Sequence, residues 1–154
     1  MEQKAFNMLV TEVFKQFLKQ FFQYEDQSTL QGSDEGKNYD NAIFISLFGD
    51  IEGGFILEVD NDTVEKFLRH IHDNLKQKID LAQLVKGYIG EFGNILASRI
   101  VTNLGKNFGT THLSTPSLFT GMGMSVDLFY EKSLSTVINS EFGLFKVTFS
   151  VAEF

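Results

Sequence analysis

Leu81–Leu104, LAQLVKGYIGEFGNILASRIVTNL, is the stretch on which the reading of this chain turns. An α-helix advances by about 100° per residue, and on that spacing the stretch divides into two unlike faces. Leu81, Leu84, Val85, Tyr88, Phe92, Ile95, Leu96 and Ile100 gather on one, as a core stripe does. Gln83, Gly87, Gly90, Glu91, Asn94 and Ser98 gather on the other. A solvated helix face normally carries strong helix formers, yet Gly87, Gly90 and Gly93 recur here at steps of three. Each interior glycine costs a helix about 1 kcal/mol relative to alanine, so roughly 3 kcal/mol needs an offset from elsewhere. A stripe of small residues lets another backbone come close, and Glu91 and Asn94 are the long polar groups beside it. Three residues apart, they leave the helix as neighbours and can reach one target together. On composition alone the plainer reading is the better supported: the glycines admit another helix of the same domain, and Glu91 and Asn94 are simply solvated.

On either side of this helix the chain reads as strands. Ala42–Phe48 and Gly54–Val59 are apolar runs joined by Gly49-Asp50-Ile51-Glu52-Gly53, which spells a hairpin with a glycine-containing turn. Asp60-Asn61-Asp62-Thr63 offers N-cap chemistry to a short helix marked by Val64, Phe67, Leu68 and Ile71. Leu75–Asp80 reads as a connection. Beyond the long helix, which is expected to end near Gly105, Thr111–Thr120 is extended, with Pro116 restricting Thr115 to β-like angles. Gly123–Tyr130, Leu134–Asn139 and Leu144–Ala152 read as strands. ISLFGDIEGGFILEV and VINSEFGLFKVTFSV echo each other as strand, turn and strand, as two related halves of one antiparallel sheet would.

The N-terminal part holds a second long helix. Phe6, Leu9, Val10, Val13, Phe14, Phe17, Leu18, Phe21 and Phe22 recur at three- and four-residue steps within Glu2–Gln23. Its polar face mixes Glu2 and Glu12 with Lys4, Lys15 and Lys19, which favours packing on the sheet over lying on a membrane. Tyr24–Asn41 is polar and reads as a loop with room for one short strand, because long structureless loops are uncommon in compact domains.

Three stretches in order bring a known family to mind. Gly90-Glu91-Phe92-Gly93-Asn94-Ile95-Leu96-Ala97 resembles the GE-x-x-N-x-I-A helix of the CheC/CheX/FliY phosphatases of bacterial chemotaxis. Ile45–Leu57 is similar to that family's glycine-turn hairpin, and Leu113–Gly121 to its Ser-x-Pro segment. The resemblance runs from about Ala42 onward and is nearest the CheX branch, because one Glu-x-x-Asn helix is present. It implies an α/β fold of α+β type, a CheX/CheC-like two-layer arrangement in which an antiparallel sheet with pseudo-two-fold halves carries two long helices. The chain departs from the family at Gly87, where Ser or Asp is common, and at Ser98, where Gly is common. The first departure bears on turnover, not on the fold.

The length of 154 residues suits a single domain over residues 1–154, and 17 phenylalanines give it apolar volume for a core. A net charge of −7 argues against nucleic-acid binding, which needs basic groups to neutralise phosphates. The same charge repels an acidic partner at long range, so docking on one must be local. Zero cysteines exclude disulfides, thiol catalysis and thiolate metal sites, and fit a cytoplasmic protein. Met1–Gln3 run straight into the amphipathic pattern, so no secretory leader is expected, and no apolar run approaches the roughly 20 residues of a membrane span. His70 and His72 point to different sides of a helix and His112 stands apart, so no metal site is expected. Neither a nucleophile elbow nor a phosphate-binding glycine loop is present.

The resemblance supplies the chemistry that remains. It implies a partner, a phosphorylated response regulator of the CheY type, and the reaction, hydrolysis of its aspartyl phosphate. Such a receiver already holds Mg²⁺ and a lysine, so this chain needs no cofactor of its own and catalysis is mainly the placing of a water in line with phosphorus. Asn94 is implied as the water-orienting group, because a carboxamide both donates and accepts. Glu91 is implied as the docking group, its carboxylate paired with the receiver's lysine. Gly87, Gly90 and Ser98 would then form the low surface that the receiver meets. A homodimer is implied as well. Two other classes stay open: a docking module that sequesters a receiver without catalysis, and an oligomerisation domain that binds none.

Overall fold

In a strand, successive side chains turn to opposite faces, and Ile43, Ile45 and Leu47 are buried on one face of theirs while Phe44 and Ser46 are half-buried on the other. The computed structural model describes residues 2–25, 29–31, 36–71, 83, 85–108, 110–124, 130 and 132–152. Among the described residues, seven strands form one antiparallel sheet: β1 (Thr29–Gln31), β2 (Tyr39–Gly49), β3 (Gly53–Val59), β4 (Thr111–Leu113), β5 (Ser117–Met124), β6 (Lys132–Ser140) and β7 (Gly143–Val151). Their order is β1-β6-β7-β3-β2, with β4 and β5 both paired to the outer side of β2. The helices among the described residues include α1 (Gln3–Phe22), α2 (Asn61–Ile71) and α3 (Gly90–Phe108), the last preceded by a π-helical turn at Val85–Ile89.

The expected α+β class, with two long helices on an antiparallel sheet, is what the structure shows. The echo in the sequence has a spatial counterpart. The β2–β3 and β6–β7 hairpins meet through antiparallel pairing of β3 with β7, from Gly53 opposite Val151 to Val59 opposite Phe145. Two hairpins joined in that way are related by an approximate two-fold axis normal to the sheet. The second glycine turn is steric as well as conformational: Gly143 has φ +137°, and a Cβ there would overlap the side chain of Thr63 on α2. Gly143→Ala is expected to destabilise the chain by about 2–3 kcal/mol, strain and overlap adding. A urea titration reads this directly, and a loss below about 0.5 kcal/mol would mean that Thr63 simply moves aside.

One continuous core joins the helices to a single face of the sheet. Phe6, Val10, Phe14 and Phe17 of α1, Val64 and Phe67 of α2, and Phe92, Leu96 and Ile100 of α3 are buried with Ile45, Phe55, Leu57, Phe145, Val147 and Phe149 of the strands. Phe92 is the junction. Its ring lies 5.2 Å from those of Phe14 and Phe17 and 6.4 Å from that of Phe145, in the edge-on and tilted geometries that aromatic pairs favour.

Several boundaries differ from the sequence expectations, each for a tertiary reason. The polar stretch from Tyr24 holds one short strand, β1, as expected, but β2 begins within it at Tyr39 instead of Ala42, since pairing with β5 satisfies its backbone. The extended segment after α3 is two strands, broken where Pro116 lacks an N–H. Ser114 bridges the break: its N–H donates to the Ser46 carbonyl at 3.0 Å and its hydroxyl accepts the Ser46 N–H at 2.8 Å. The strand expected over Gly123–Tyr130 contributes Gly123 and Met124 to β5, and its residues 125–129 lie outside the described residues, as do 75–80. α3 runs through Gly105 to Phe108 instead of ending there. At α2 the N-cap position is Asp60, but its carboxylate accepts the Asp40 N–H at 3.1 Å and meets Lys37 Nζ at 2.6 Å. The first free N–H of the helix, that of Asn61, is taken by Asp40 Oδ2 at 3.2 Å, so a strand caps this helix.

Candidate functional site

The long polar groups of α3 stand where the helix turns away from the sheet. Ile89, Phe92, Leu96, Ala97 and Ile100 are buried and define the core seam. Glu91, Ser98 and Thr102, at i, i+7 and i+11, are exposed and mark the opposite meridian. Asn94 and Ile95 flank that line and are half-buried. Asn94 therefore sits about 60° around the axis and about 4.5 Å along it from Glu91. One target can meet both.

The structure separates the three glycines. Gly87 is exposed and Gly90 is covered by its neighbours, yet among the described residues a Cβ added to either would meet nothing within 4 Å. Gly93 is different: its Cβ direction points at Ile43, Phe55 and Leu57, at 3.5–3.7 Å, on the core face of the sheet. It lets α3 lie close to β2 and β3 and is not part of the outward stripe, which corrects the three-glycine face expected from spacing. The plainer expectation, that the glycines admit a neighbouring element, is thus correct for Gly93, with a sheet as the neighbour. No described residue stands against the Cβ direction of Gly87 or Gly90.

A second correction concerns phase. Val85–Ile89 is a π-helical turn, not α-helix. Such a turn holds one residue more than an α-turn and occurs mostly as an isolated insertion, frequently at functional sites. Residues before it are offset from the regular 100° spacing; Ile89, absent from the expected core stripe, is buried because it stands three residues before Phe92 and seven before Leu96 on the core seam, while Tyr88 is half-buried. Gln83 and Gly87 remain exposed through the offset. Leu81 and Leu84 lie outside the described residues.

Among the described residues, Glu91 and Asn94 make no hydrogen bond or ion pair, so both side chains are free to bind an incoming group. The groups around them are sparse. Thr102 Oγ1 donates to the Ser98 carbonyl at 2.8 Å, tucking that side chain against its own helix. Arg99, not singled out by the spacing argument, has its guanidinium 4.0 Å from the Glu12 carboxylate on α1. Among the described residues no group of three or more His, Asp or Glu side chains is placed to hold a metal ion. His70 packs against the rings of Tyr24 and Phe142, at 5.1 and 5.3 Å, and His112 against Phe48 at 5.5 Å; His72 lies outside the described residues. No helix among them is long and apolar enough to cross a membrane.

Comparison with known proteins bears on the whole of this surface. The family model described as chemotaxis phosphatase CheX matches residues 42–139, more than half of the chain and including most of β2 and all of β3 and α3. No curated protein matches the sequence. Among solved structures, the chain is similar to the chemotaxis protein CheX of Desulfovibrio desulfuricans, with 15% identity, TM-score 0.72, and 96% of this chain and 99% of that one covered. It is similar to the chemotaxis protein CheX of Vibrio vulnificus, with 14% identity, TM-score 0.75, and 98% and 99% covered. It is also similar to a chain in the CheX–CheY–BeF3–Mg²⁺ complex of Borrelia burgdorferi, with 16% identity, TM-score 0.67, and 96% and 98% covered. At these identities the likeness is one of fold.

Proposed function

The chain belongs to the CheX family of chemotaxis phosphatases, and from that premise we propose that it dephosphorylates the aspartyl phosphate of a CheY-type response regulator. The observation that carries the proposal is the pairing, on one exposed face of α3, of an unengaged carboxylate and an unengaged carboxamide one turn apart. Glu91 docks the receiver by pairing with its lysine, and Asn94 holds the attacking water in line with phosphorus, its Oδ1 accepting a hydrogen bond from the water and its Nδ2 donating one to the water oxygen. The receiver brings the Mg²⁺ that the reaction uses. Gly87, Gly90 and Ser98 form the shallow floor on which the receiver backbone rests. The complex of a Borrelia relative with CheY supports a partner of this kind.

The test is the decay of a phosphorylated CheY-type receiver in Mg²⁺, with and without the protein. Faster decay establishes the activity. Unchanged decay across the receivers of the same cell, with binding retained, leaves the second reading, a docking module without turnover. That reading is favoured by Gly87, which stands where relatives often carry Ser or Asp. We further propose a cytoplasmic homodimer formed through the sheet. Strand alternation puts Phe48 and Phe119, both about half exposed, on the face turned away from the helices, where a second copy can cover them.

The two open glycines give a prediction that separates docking from folding. Gly87→Ala and Gly90→Ala should leave the chain as stable as before, or up to about 1 kcal/mol more stable, because neither Cβ meets a neighbour. Gly87→Leu should keep the melting temperature and raise KM for the phosphorylated receiver about tenfold, a loss that only an intermolecular clash explains. An unchanged KM would remove Gly87 from the docking surface.

A further inference from the structure

A chain of net charge −7 that docks with Glu91 foremost on an acidic receiver site needs a cation near the contact. Arg99 is the group so placed. It stands about 12 Å along α3 from Glu91 and about 80° around it, on the flank opposite Asn94 and toward α1. α1 and α3 run side by side there, with Phe14 and Phe17 against Phe92. The Arg99 side chain is half exposed, and its only ion-pair partner among the described residues is Glu12, at 4.0 Å, beyond hydrogen-bond range. The Glu12 oxygen concerned already accepts the Gln16 side-chain N–H at 3.2 Å. Arg99 itself donates no hydrogen bond among the described residues, although a guanidinium offers five N–H groups in a fork that fits a carboxylate. An exposed pair at that distance holds its partners weakly. It is exchangeable.

We infer that Arg99 is a docking residue of the same surface: a carboxylate on the acidic receiver takes the guanidinium over from Glu12 as the proteins meet. The inference rests on the function proposed above. Because Arg99 stands at the rim and not at the reacting atoms, it acts on encounter and on the lifetime of the complex, leaving the hydrolytic step alone. Glu12 acts as its keeper in the free protein, holding the side chain toward α1.

Steady-state dephosphorylation of a phosphorylated CheY-type receiver, run from low to high salt, tests this. Arg99→Glu should raise KM by about tenfold with kcat within about twofold, and flatten the dependence of kcat/KM on ionic strength. Arg99→Lys should recover part of the loss, since it keeps the charge without the fork. Glu12→Gln should lower KM several-fold by releasing the guanidinium, an effect that a merely structural α1–α3 pair would not give. If Arg99→Glu turns over with wild-type KM and salt dependence, or if Glu12→Gln raises KM, the inference fails while the phosphatase reading stands. A wild-type protein that neither binds nor dephosphorylates any receiver overturns both together.

Discussion

Asn94→Ala should slow the assisted decay of the phosphorylated receiver by about two to three orders of magnitude, the range seen when one preorganised polar group is removed from a reacting centre. The receiver retains its Mg²⁺ and lysine and with them its own spontaneous hydrolysis, so the rate falls to that floor and not to zero. What is lost is position. A water that a carboxamide holds near phosphorus in the right line has already lost the freedom that a bulk water must give up in the transition state. Binding should change little, because Asn94 is half-buried on the flank of α3 while Glu91, Ser98 and Thr102 line its exposed meridian. The contrast with Glu91→Ala is informative: losing the docking carboxylate should raise KM more than it lowers kcat. Single-turnover decay with protein in excess, compared with direct binding of the receiver loaded with a phosphate mimic, separates the two. Asn94→Ala with wild-type turnover would assign the water to another group. Asn94→Asp tests the donor half of the carboxamide, since the carboxylate only accepts and also repels the phosphoryl oxygens.

Phe92→Ala is expected to cost about 3–5 kcal/mol of folding stability, the usual range for a buried phenylalanine. That is a large part of the roughly 5–15 kcal/mol by which native domains are stable. The reason is local and also architectural. Phe92 is 1% exposed and its ring meets those of Phe14, Phe17 and Phe145, so one truncation opens a cavity where α1, α3 and β7 converge. The residue is next to Glu91 and two before Asn94, so a survivor of this substitution should also show a loosened site. Urea unfolding measures the stability, and the kcat of the folded fraction measures the rest. A loss under about 1 kcal/mol would show that the aromatic cluster closes over the gap. Phe92→Leu, which keeps most of the volume, should recover more than half of the difference.

The periodicities in this chain determined a good deal alone. Apolar steps of three and four fixed α1, and alternation around Gly49–Gly53 fixed the β2–β3 hairpin, because both patterns follow from backbone geometry that any core must obey. The pairing of Glu91 with Asn94 was legible for the same reason, as was the repeat of a hairpin near the C-terminus. Other features have no local cause. Asp40 caps α2 from across the sheet, because β2 passes that helix start, and a sequence window around Asp60 contains no sign of it. The π-helical turn before Gly90 adds a residue to the helix without any residue type that announces it, and so shifts the phase on which the core stripe was drawn. Gly93 and Gly87 look alike in a string of letters. Only the packed sheet distinguishes them, since Ile43, Phe55 and Leu57 lie beneath the first and no described residue lies within 4 Å of a Cβ added to the second. Arg99 acquires a partner because α1 and α3 lie side by side, which brings Glu12 across some 87 residues of chain. The sequence determined the long helices, the two hairpins and the shared face of Glu91 and Asn94. Which of those groups are left free to act was decided by contacts between segments far apart in the chain.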